Sequence, residues 1–251
     1  MDKAEERLRS RFWDLADDAD KKGIVTFSDF LNLNELNIFH SMAGQLSFVK
    51  WEVSGGYEPA ERQIIAFIPD ALYYDWDYPI SCLKIEPLNG KFAEELTHRD
   101  YLGTILGMGL DRSKLGDILV DGNQAWVFCV DSIADFICTQ LVRVRRTSVL
   151  CRKADHLRLD IAVRTESIKG SVASIRLDSL IALACKGSRS SLASMIEEGK
   201  VFVNGKLITS NGYTPKEQDL ISVRGIGKFR YCGILSQTKK GRYYIEIQKF
   251  I

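Results

Sequence analysis

The stretch that decides the fold of the C-terminal part is residues 175–208, IRLDSLIALACKGSRSSLASMIEEGKVFVNGKLI. Its first third has apolar residues at the three- and four-residue spacing of a helix, and a glycine ends that pattern. Ser188 then caps a second short helix, which Gly199 closes. Asn204 and Gly205 form a two-residue hairpin turn between short apolar strands. We therefore predict two short helices followed by a small hairpin sheet.

The start of the second helix has the chemistry of a phosphate-binding site. Backbone N–H groups, the positive end of the helix dipole, serine hydroxyls and a guanidinium coincide there. Such a surface binds a sugar–phosphate backbone with little dependence on sequence. The alternative is that each cation is an ordinary solvated side chain. The predicted RNA contacts in this part are Arg176, Lys186, Ser188, Arg189, Ser190, Lys200, Lys206, Arg224, Lys228 and Arg230.

Charge is unevenly distributed along the chain. The total is +1, but residues 1–80 carry 8 basic and 15 acidic side chains. Residues 175–251 carry 13 basic and 6 acidic side chains. A basic C-terminal third indicates a polyanionic partner, whereas an acidic surface repels one. We expect the acidic N-terminal part to face solvent or a protein partner.

Length and composition describe an ordinary globular protein. The chain has 251 residues, of which 45% are apolar and 27% charged. It has no apolar run of membrane-spanning length and no apolar core near its N-terminus, so we expect a cytoplasmic protein without a membrane partner. The six cysteines form no Cys-x-x-Cys pair, so we expect reduced thiols, no metal site and no cofactor.

The middle of the chain has the element order β-α-β-β-α-β. A helix is predicted over 97–107, and GDILVDGNQAWVFCV at 116–130 indicates a hairpin that turns at an Asp-Gly pair. This order is the ferredoxin-like plan, which RNA-recognition domains also use. Trp126 and Phe128 alternate on one strand, so they are either core residues or a pair that stacks on bases; we favour the core.

The N-terminal part is predicted to combine two helices with two strands. The first helix covers residues 1–22, and the second begins at Ser28 as its N-cap. Two strands follow, around a Gly-Gly turn. The whole chain is thus a multidomain α+β protein with an α/β N-terminal region, a ferredoxin-like middle domain and an αα-β-hairpin C-terminal domain. The predicted domains are residues 1–78, 79–172 and 173–251.

The C-terminal residues resemble the S-four (S4) domain, the RNA-binding domain named after a small-subunit ribosomal protein. The resemblance rests on Arg-Leu-Asp at 176–178, Ser-Arg at 188–189, Gly-x-Val-x-Val-Asn-Gly at 199–205 and Val-Arg-Gly at 223–225. Two departures are Leu192, where the family has a small residue, and Gln218, where it has glycine.

The middle segment resembles a narrower family. Residues 96–120, LTHRDYLGTILGMGLDRSKLGDILV, are similar to bacterial YlmH-type RNA-binding proteins, which carry a ferredoxin-like region before an S4 domain. This resemblance implies binding to structured RNA, rRNA or tRNA, on the large ribosomal subunit, and a link to factors that act on stalled ribosomes. Within the motif, Arg99, Arg112 and Lys114 are further candidate RNA contacts. The alternative for this motif is a local helix cap and ion-pair cluster at His98, Arg99 and Asp100.

Two rival functions belong to other classes. A pseudouridine synthase uses an aspartate in an Arg-Leu-Asp motif, and Arg158-Leu159-Asp160 matches that motif. In those enzymes, however, the S4 domain precedes a long catalytic domain, whereas here it comes last. A protein–protein adaptor is the second rival, but the basic residues retained in 175–230 argue against it. We expect a protein that is not an enzyme.

Overall fold

The chain folds as two compact units, Met1–Asp160 and Ile161–Ile251. The first unit combines helices with two antiparallel sheets and the second combines helices with one, so the predicted multidomain α+β class is confirmed. The computed structural model describes residues 3–154, 165–185, 189–238 and 241–250.

The N-terminal part of the first unit is a three-stranded sheet covered by two helices. The sheet order is β1-β3-β2, and both pairs are antiparallel. Phe12, Phe39 and Phe67 are fully buried between the helices and the sheet. The elements are α1 (Lys3–Lys22), β1 (Thr26–Phe27), α2 (Leu33–Met42), β2 (Lys50–Ser54) and β3 (Ile64–Ile68).

The predicted start of α2 at Ser28 is wrong. The N-cap is Asn32, whose side chain accepts hydrogen bonds from the N–H groups of Asn34 and Glu35, at 2.9 and 3.1 Å. The Glu35 carboxylate accepts the N–H of Asn32 in return, which completes a capping box. The buried Ser28 hydroxyl instead accepts the N–H of Ile65 at 2.9 Å and ties the loop to β3.

The middle part of the first unit is a five-stranded antiparallel sheet with two helices. The sheet order is β5-β6-β4-β8-β7, which is the ferredoxin-like arrangement with a short extra edge strand. Apolar side chains from one face of the sheet pack with both helices in a separate core. The elements are β4 (Ile80–Pro87), α3 (His98–Leu106), β5 (Leu115–Asp121), β6 (Gln124–Val130), α4 (Asp131–Gln140), β7 (Arg143–Val144) and β8 (Thr147–Lys153).

The second unit places two short helices on one face of a six-stranded antiparallel sheet. The sheet order is β11-β10-β12-β13-β14-β9. The elements are β9 (Thr165–Val172), α5 (Leu177–Cys185), α6 (Arg189–Glu197), β10 (Val201–Val203), β11 (Lys206–Leu207), β12 (Leu220–Val223), β13 (Gly227–Gln237) and β14 (Tyr243–Phe250).

The strand before the predicted boundary at residue 172 belongs to this second sheet. All eight residues of β9 pair with β14, so the sheet that carries the C-terminal helices begins near residue 165 rather than 173. The strand β9 could not be predicted from a pattern of apolar residues because its composition is polar. It lies at the edge of the sheet, where most of its residues are exposed or half-buried.

Among the residues that the structure describes, no helix is long and apolar enough to cross a membrane.

Candidate nucleic-acid interface

The helix side of the second unit carries the first group of predicted contacts. Arg176 directly precedes α5, is exposed, and forms an ion pair with Asp178 at 3.2 Å. The helix α6 begins at Arg189, as its sequence predicts within one residue. Lys186 and Ser188 lie outside the described residues. Of Arg189 and Ser190 the structure describes only the backbone.

The loops and edge of the second sheet carry the next group. Lys200 is exposed and pairs with Glu198 at 2.6 Å, and Lys206 is exposed on the edge strand β11. Arg224 follows β12 and is exposed, with its guanidinium carbon 5.2 Å from the centre of the Phe202 ring. These cations lie at the surface, as a contact to RNA requires.

The strand β13 holds the last two predicted contacts of this unit. Lys228 and Arg230 are both half-buried. The guanidinium carbon of Arg230 lies 5.8 Å from the centre of the Phe250 ring on the neighbouring strand. Sequence reasoning missed both aromatic partners, because Phe202 fits a core position and Phe250 follows a polar residue at the end of the chain.

The three candidates in the middle of the chain have different surroundings. Arg99 is exposed in the first turn of α3. Arg112 donates to the carbonyl oxygens of Leu115 and Gly116 at 2.6 and 3.0 Å, and burial lowers its pKa to about 10. Lys114 donates to Asp29 at 2.5 Å. Arg112 and Lys114 therefore help to hold the first unit together, and a role in RNA contact stays a prediction for all three.

In the His98-Arg99-Asp100 motif, Asp100 has the surroundings of a local helix cap and ion pair, which was the alternative to RNA contact. The Asp100 carboxylate accepts the N–H and the hydroxyl of Thr97, at 2.8 and 2.7 Å, in a capping box for α3. It also pairs with Arg145 at 2.5 Å. The hydrogen bonds from Thr97, with the charge of Arg145, lower the pKa of Asp100. Asp100 is thus a helix cap and ion-pair partner.

A polar network that the sequence does not reveal joins the N-terminal and middle parts of the first unit. The Asp117 carboxylate accepts the hydroxyl of Tyr57 at 2.8 Å and the backbone N–H groups of Glu61 and Arg62 at 2.6 and 3.2 Å. Burial and the charge of Asp117 raise the pKa of Tyr57 far above its ordinary value. The Arg62 side chain donates to the carbonyl oxygens of Phe30, Arg112 and Leu115. No short sequence pattern signals this network, since its members lie up to 87 residues apart.

Trp126 and Phe128 are buried, in agreement with the core interpretation. Phe128 is fully buried, and its ring stacks on Tyr57 with centroids 4.7 Å apart. Trp126 is 9% exposed, and the Lys84 ammonium lies 5.8 Å from its ring. Their neighbours Val127 and Cys129 belong to the core with the helices, so both aromatic residues lie on the opposite face of the sheet.

The rest of that face forms a shallow groove of about 780 Å³. Glu86 lies between two cations, with ion pairs of 2.7 Å to Lys84 and 2.5 Å to Arg152. The bond with Lys84 and the charge of Arg152 lower the pKa of Glu86. Leu150, which is 49% exposed, lines the same groove. Asp121 also lines the groove, so two anions balance the two cations, and the groove has no net attraction for a polyanion.

Metal-binding groups and nucleophiles are the usual components of a catalytic site. The described residues contain no group of three or more His, Cys, Asp or Glu side chains that could hold a metal ion. Burial raises the pKa of the Cys82 and Cys129 thiols to about 12, which keeps them protonated and poor nucleophiles at neutral pH. Arg158, Leu159 and Asp160, which the pseudouridine-synthase alternative requires, lie outside the described residues.

Models of known protein families match three consecutive parts of the chain. Residues 5–72 match the model of the N-terminal domain of YlmH, 74–157 match the model of the RNA-binding domain in YlmH, and 175–221 match the S4 domain.

Individual relatives extend the likeness over most of the chain. The ribosome-associated protein quality control protein P2 of Bacillus subtilis is 30% identical over 229 residues, which cover 90% of this chain and 87% of the relative. The structure of the cell division protein ylmH from Streptococcus pneumoniae matches with a TM-score of 0.51 at 21% identity, over 62% of this chain and 94% of that one. The three matched domains and the relative of nearly equal extent show that this chain belongs to the YlmH family.

Proposed function

We propose that this protein binds structured RNA, rRNA or tRNA, on the large ribosomal subunit, without catalysing a reaction. The observation that carries the proposal is the match of residues 175–221 to the S4 domain, within a unit whose surface is strongly basic. Residues 161–251 carry 15 basic and 7 acidic side chains. Arg176, Lys200, Lys206 and Arg224 are exposed on that unit.

The relative in Bacillus subtilis supports the ribosomal part of the proposal. Its name describes a ribosome-associated protein of protein quality control. By this likeness the present chain is a cytoplasmic factor that acts when ribosomes stall. Residues 1–80 carry 15 acidic side chains, and their surface serves contact with a protein rather than with RNA.

The test is sedimentation of the purified protein with ribosomal subunits and with free tRNA, at 50 and 200 mM salt. If binding neutralises six or more phosphates, the affinity falls roughly 10³-fold or more between 50 and 200 mM salt. The variant Arg189→Glu places an anion at the start of α6 and is expected to abolish binding to every RNA tested. Lys22→Glu has the same change of charge in the first unit and serves as the matched control.

The outcomes separate the candidates. Salt-sensitive sedimentation with the large subunit, lost in Arg189→Glu and kept in Lys22→Glu, supports the proposal. Absence of binding to any RNA at 50 mM salt contradicts it and favours the adaptor. An affinity that hardly changes with salt contradicts binding through the phosphates of the RNA.

A further inference from the structure

The strand β7 and its turn into β8 add a short arginine-rich hairpin to the ferredoxin-like plan. Its residues 142–147, VRVRRT, include three arginines and no acidic residue. Arg145 and Arg146 form the two-residue turn between the strands. All three arginines are exposed. We call Arg143, Arg145 and Arg146 the arginine hairpin.

The backbone of this turn does not call for an arginine. Arg145 has a φ angle of 49°, which lies in the left-handed region. Two-residue hairpin turns favour Asn, Asp and Gly at such positions, because a larger side chain at positive φ costs free energy. Residues held in this region cluster at functional sites. The conformation of Arg145 therefore indicates a role for its side chain rather than for the turn.

The neighbouring chain holds the arginine hairpin in place. The Glu94 carboxylate accepts the N–H of Arg146 at 3.0 Å, and the N–H of Glu94 donates to the hydroxyl of Thr147 at 3.1 Å. The Asp100 carboxylate pairs with Nε of Arg145 at 2.5 Å. The Asp100 side chain is 8% exposed, whereas that of Arg145 is 63% exposed, so the acid is covered and the guanidinium is accessible. An arginine fixed in this way loses less entropy when it binds a phosphate.

The arginine hairpin makes a local positive surface in an acidic unit. Residues 91–100, which include both acidic partners, carry two basic and three acidic side chains. Together with the three arginines they have a net charge of +2, whereas residues 1–160 carry 19 basic and 26 acidic side chains. Charges more than ~8 Å away are largely screened at about 0.15 M salt. RNA at the arginine hairpin therefore meets mainly the local positive charge.

We propose that the arginine hairpin is the RNA contact of the middle domain, and that its guanidinium groups bind the phosphates of a sugar–phosphate backbone. This inference rests on the proposed function and extends it to a surface outside the S4 domain. The hairpin lies within residues 74–157, which match the RNA-binding domain in YlmH. The groove on the sheet of the same domain has balanced charge, so it offers a polyanion less than the hairpin does.

The test is a titration of labelled tRNA with the full-length protein, followed by fluorescence anisotropy at several salt concentrations. Arg143→Gln with Arg146→Gln is expected to weaken binding about tenfold at 50 mM salt. It is also expected to lower the slope of log affinity against log salt by about 2, one for each lost phosphate contact. Arg7→Gln with Arg11→Gln removes the same charge from exposed positions of α1 and is the control, expected to leave both quantities unchanged.

A second variant separates RNA binding from the stability of the turn. Arg145→Asn removes the charge, but asparagine tolerates a positive φ angle. It is expected to weaken binding about threefold while the melting temperature stays equal to that of the wild type or rises. A lower melting temperature with unchanged affinity would show that Arg145 serves the turn, and would overturn its role in binding. Circular dichroism checks that each variant is folded.

The outcomes separate this contact from the proposed function. Hairpin variants that bind as tightly as the control, together with loss of binding in Arg189→Glu, overturn the hairpin contact and leave the proposed function standing. A wild-type protein that does not bind tRNA or ribosomal subunits overturns both.

Discussion

Asp117 connects the N-terminal and middle parts of the first unit. Its carboxylate receives three donors from the segment 57–62, and this segment also places the Tyr57 ring on Phe128. A carboxylate with three donors stabilises a loop because each bond to a charged acceptor contributes about 1.5–3 kcal/mol, and an abandoned donor costs a similar amount. Asp117 therefore fixes the N-terminal part on the middle sheet.

We expect Asp117→Ala to lower the free energy of unfolding by about 2–4 kcal/mol, since it leaves the Tyr57 hydroxyl and two backbone N–H groups without their acceptor. Urea denaturation followed by tryptophan fluorescence measures the change. Asp135→Ala removes a carboxylate that is 85% exposed and pairs only at the surface with Lys153, so it is expected to cost less than about 1 kcal/mol. Equal losses in the two variants would contradict the role given to Asp117.

At the same scale, the sequence predicted residue types better than residue roles. It identified Arg112 and Lys114 as cations in a family motif, but the structure places both in contacts within the first unit. Their partners, Leu115, Gly116 and Asp29, are either carbonyl groups or far away in sequence. A cation bound to RNA and a cation bound to backbone carbonyls look the same in a single sequence, since only the fold decides what surrounds them.

Among the elements, β5 shows why one glycine is required at the contact between the two parts of the first unit. A Cβ atom on Gly116 would lie 2.7 Å from the Phe30 ring and 2.9 Å from the Cβ of Phe128. Such distances force the neighbours to shift. The glycine therefore sets how closely the N-terminal loop approaches the sheet.

We expect Gly116→Ala to destabilise the protein by about 1–3 kcal/mol because it overpacks this contact. Gly103→Ala is the matched substitution on α3, where a Cβ would meet nothing within 4 Å. In a helix, alanine is favoured over glycine by up to about 1 kcal/mol, so this variant is expected to be as stable as the wild type or more so. Thermal unfolding of the two variants measures whether the change in stability has opposite signs in them. A stabilised Gly116→Ala would contradict the close packing at Gly116.

Elements with a strong local pattern could be predicted, and those set by distant contacts could not. The βαββαβ order follows from apolar runs and an Asp-Gly turn, and the structure confirms it. The start of α2 was misplaced because Ser28 and Asn32 are both good caps, and only the bond from Ile65 to Ser28 assigns the serine elsewhere. The strand β9 has a polar sequence, so its place in the second sheet depends on β14, more than 70 residues away.

At the scale of the whole molecule, charge is divided between the two units. Residues 1–160 carry 19 basic and 26 acidic side chains, whereas residues 161–251 carry 15 and 7. Among the described residues, the first unit has two hydrophobic cores and two sheets, and the second unit has one core and one sheet. The long-range attraction for a polyanion therefore originates in the second unit.

We expect a fragment of residues 161–251 to fold alone and to keep most of the affinity for tRNA and most of the salt slope of the full chain. Its core contains residues of both helices and of β9, β10, β12, β13 and β14, which is enough to define one compact structure. The fragment 1–160, with its excess of acidic side chains, is expected to bind tRNA at least about tenfold more weakly at 50 mM salt. Anisotropy titrations of both fragments and the full chain measure these affinities, after circular dichroism has shown that each is folded.

Tighter binding by 1–160 would move the main RNA contact to the middle sheet, where residues 74–157 match the RNA-binding domain in YlmH. Because the groove on that sheet pairs Lys84 and Arg152 with Glu86, we expect the titration to favour the second unit.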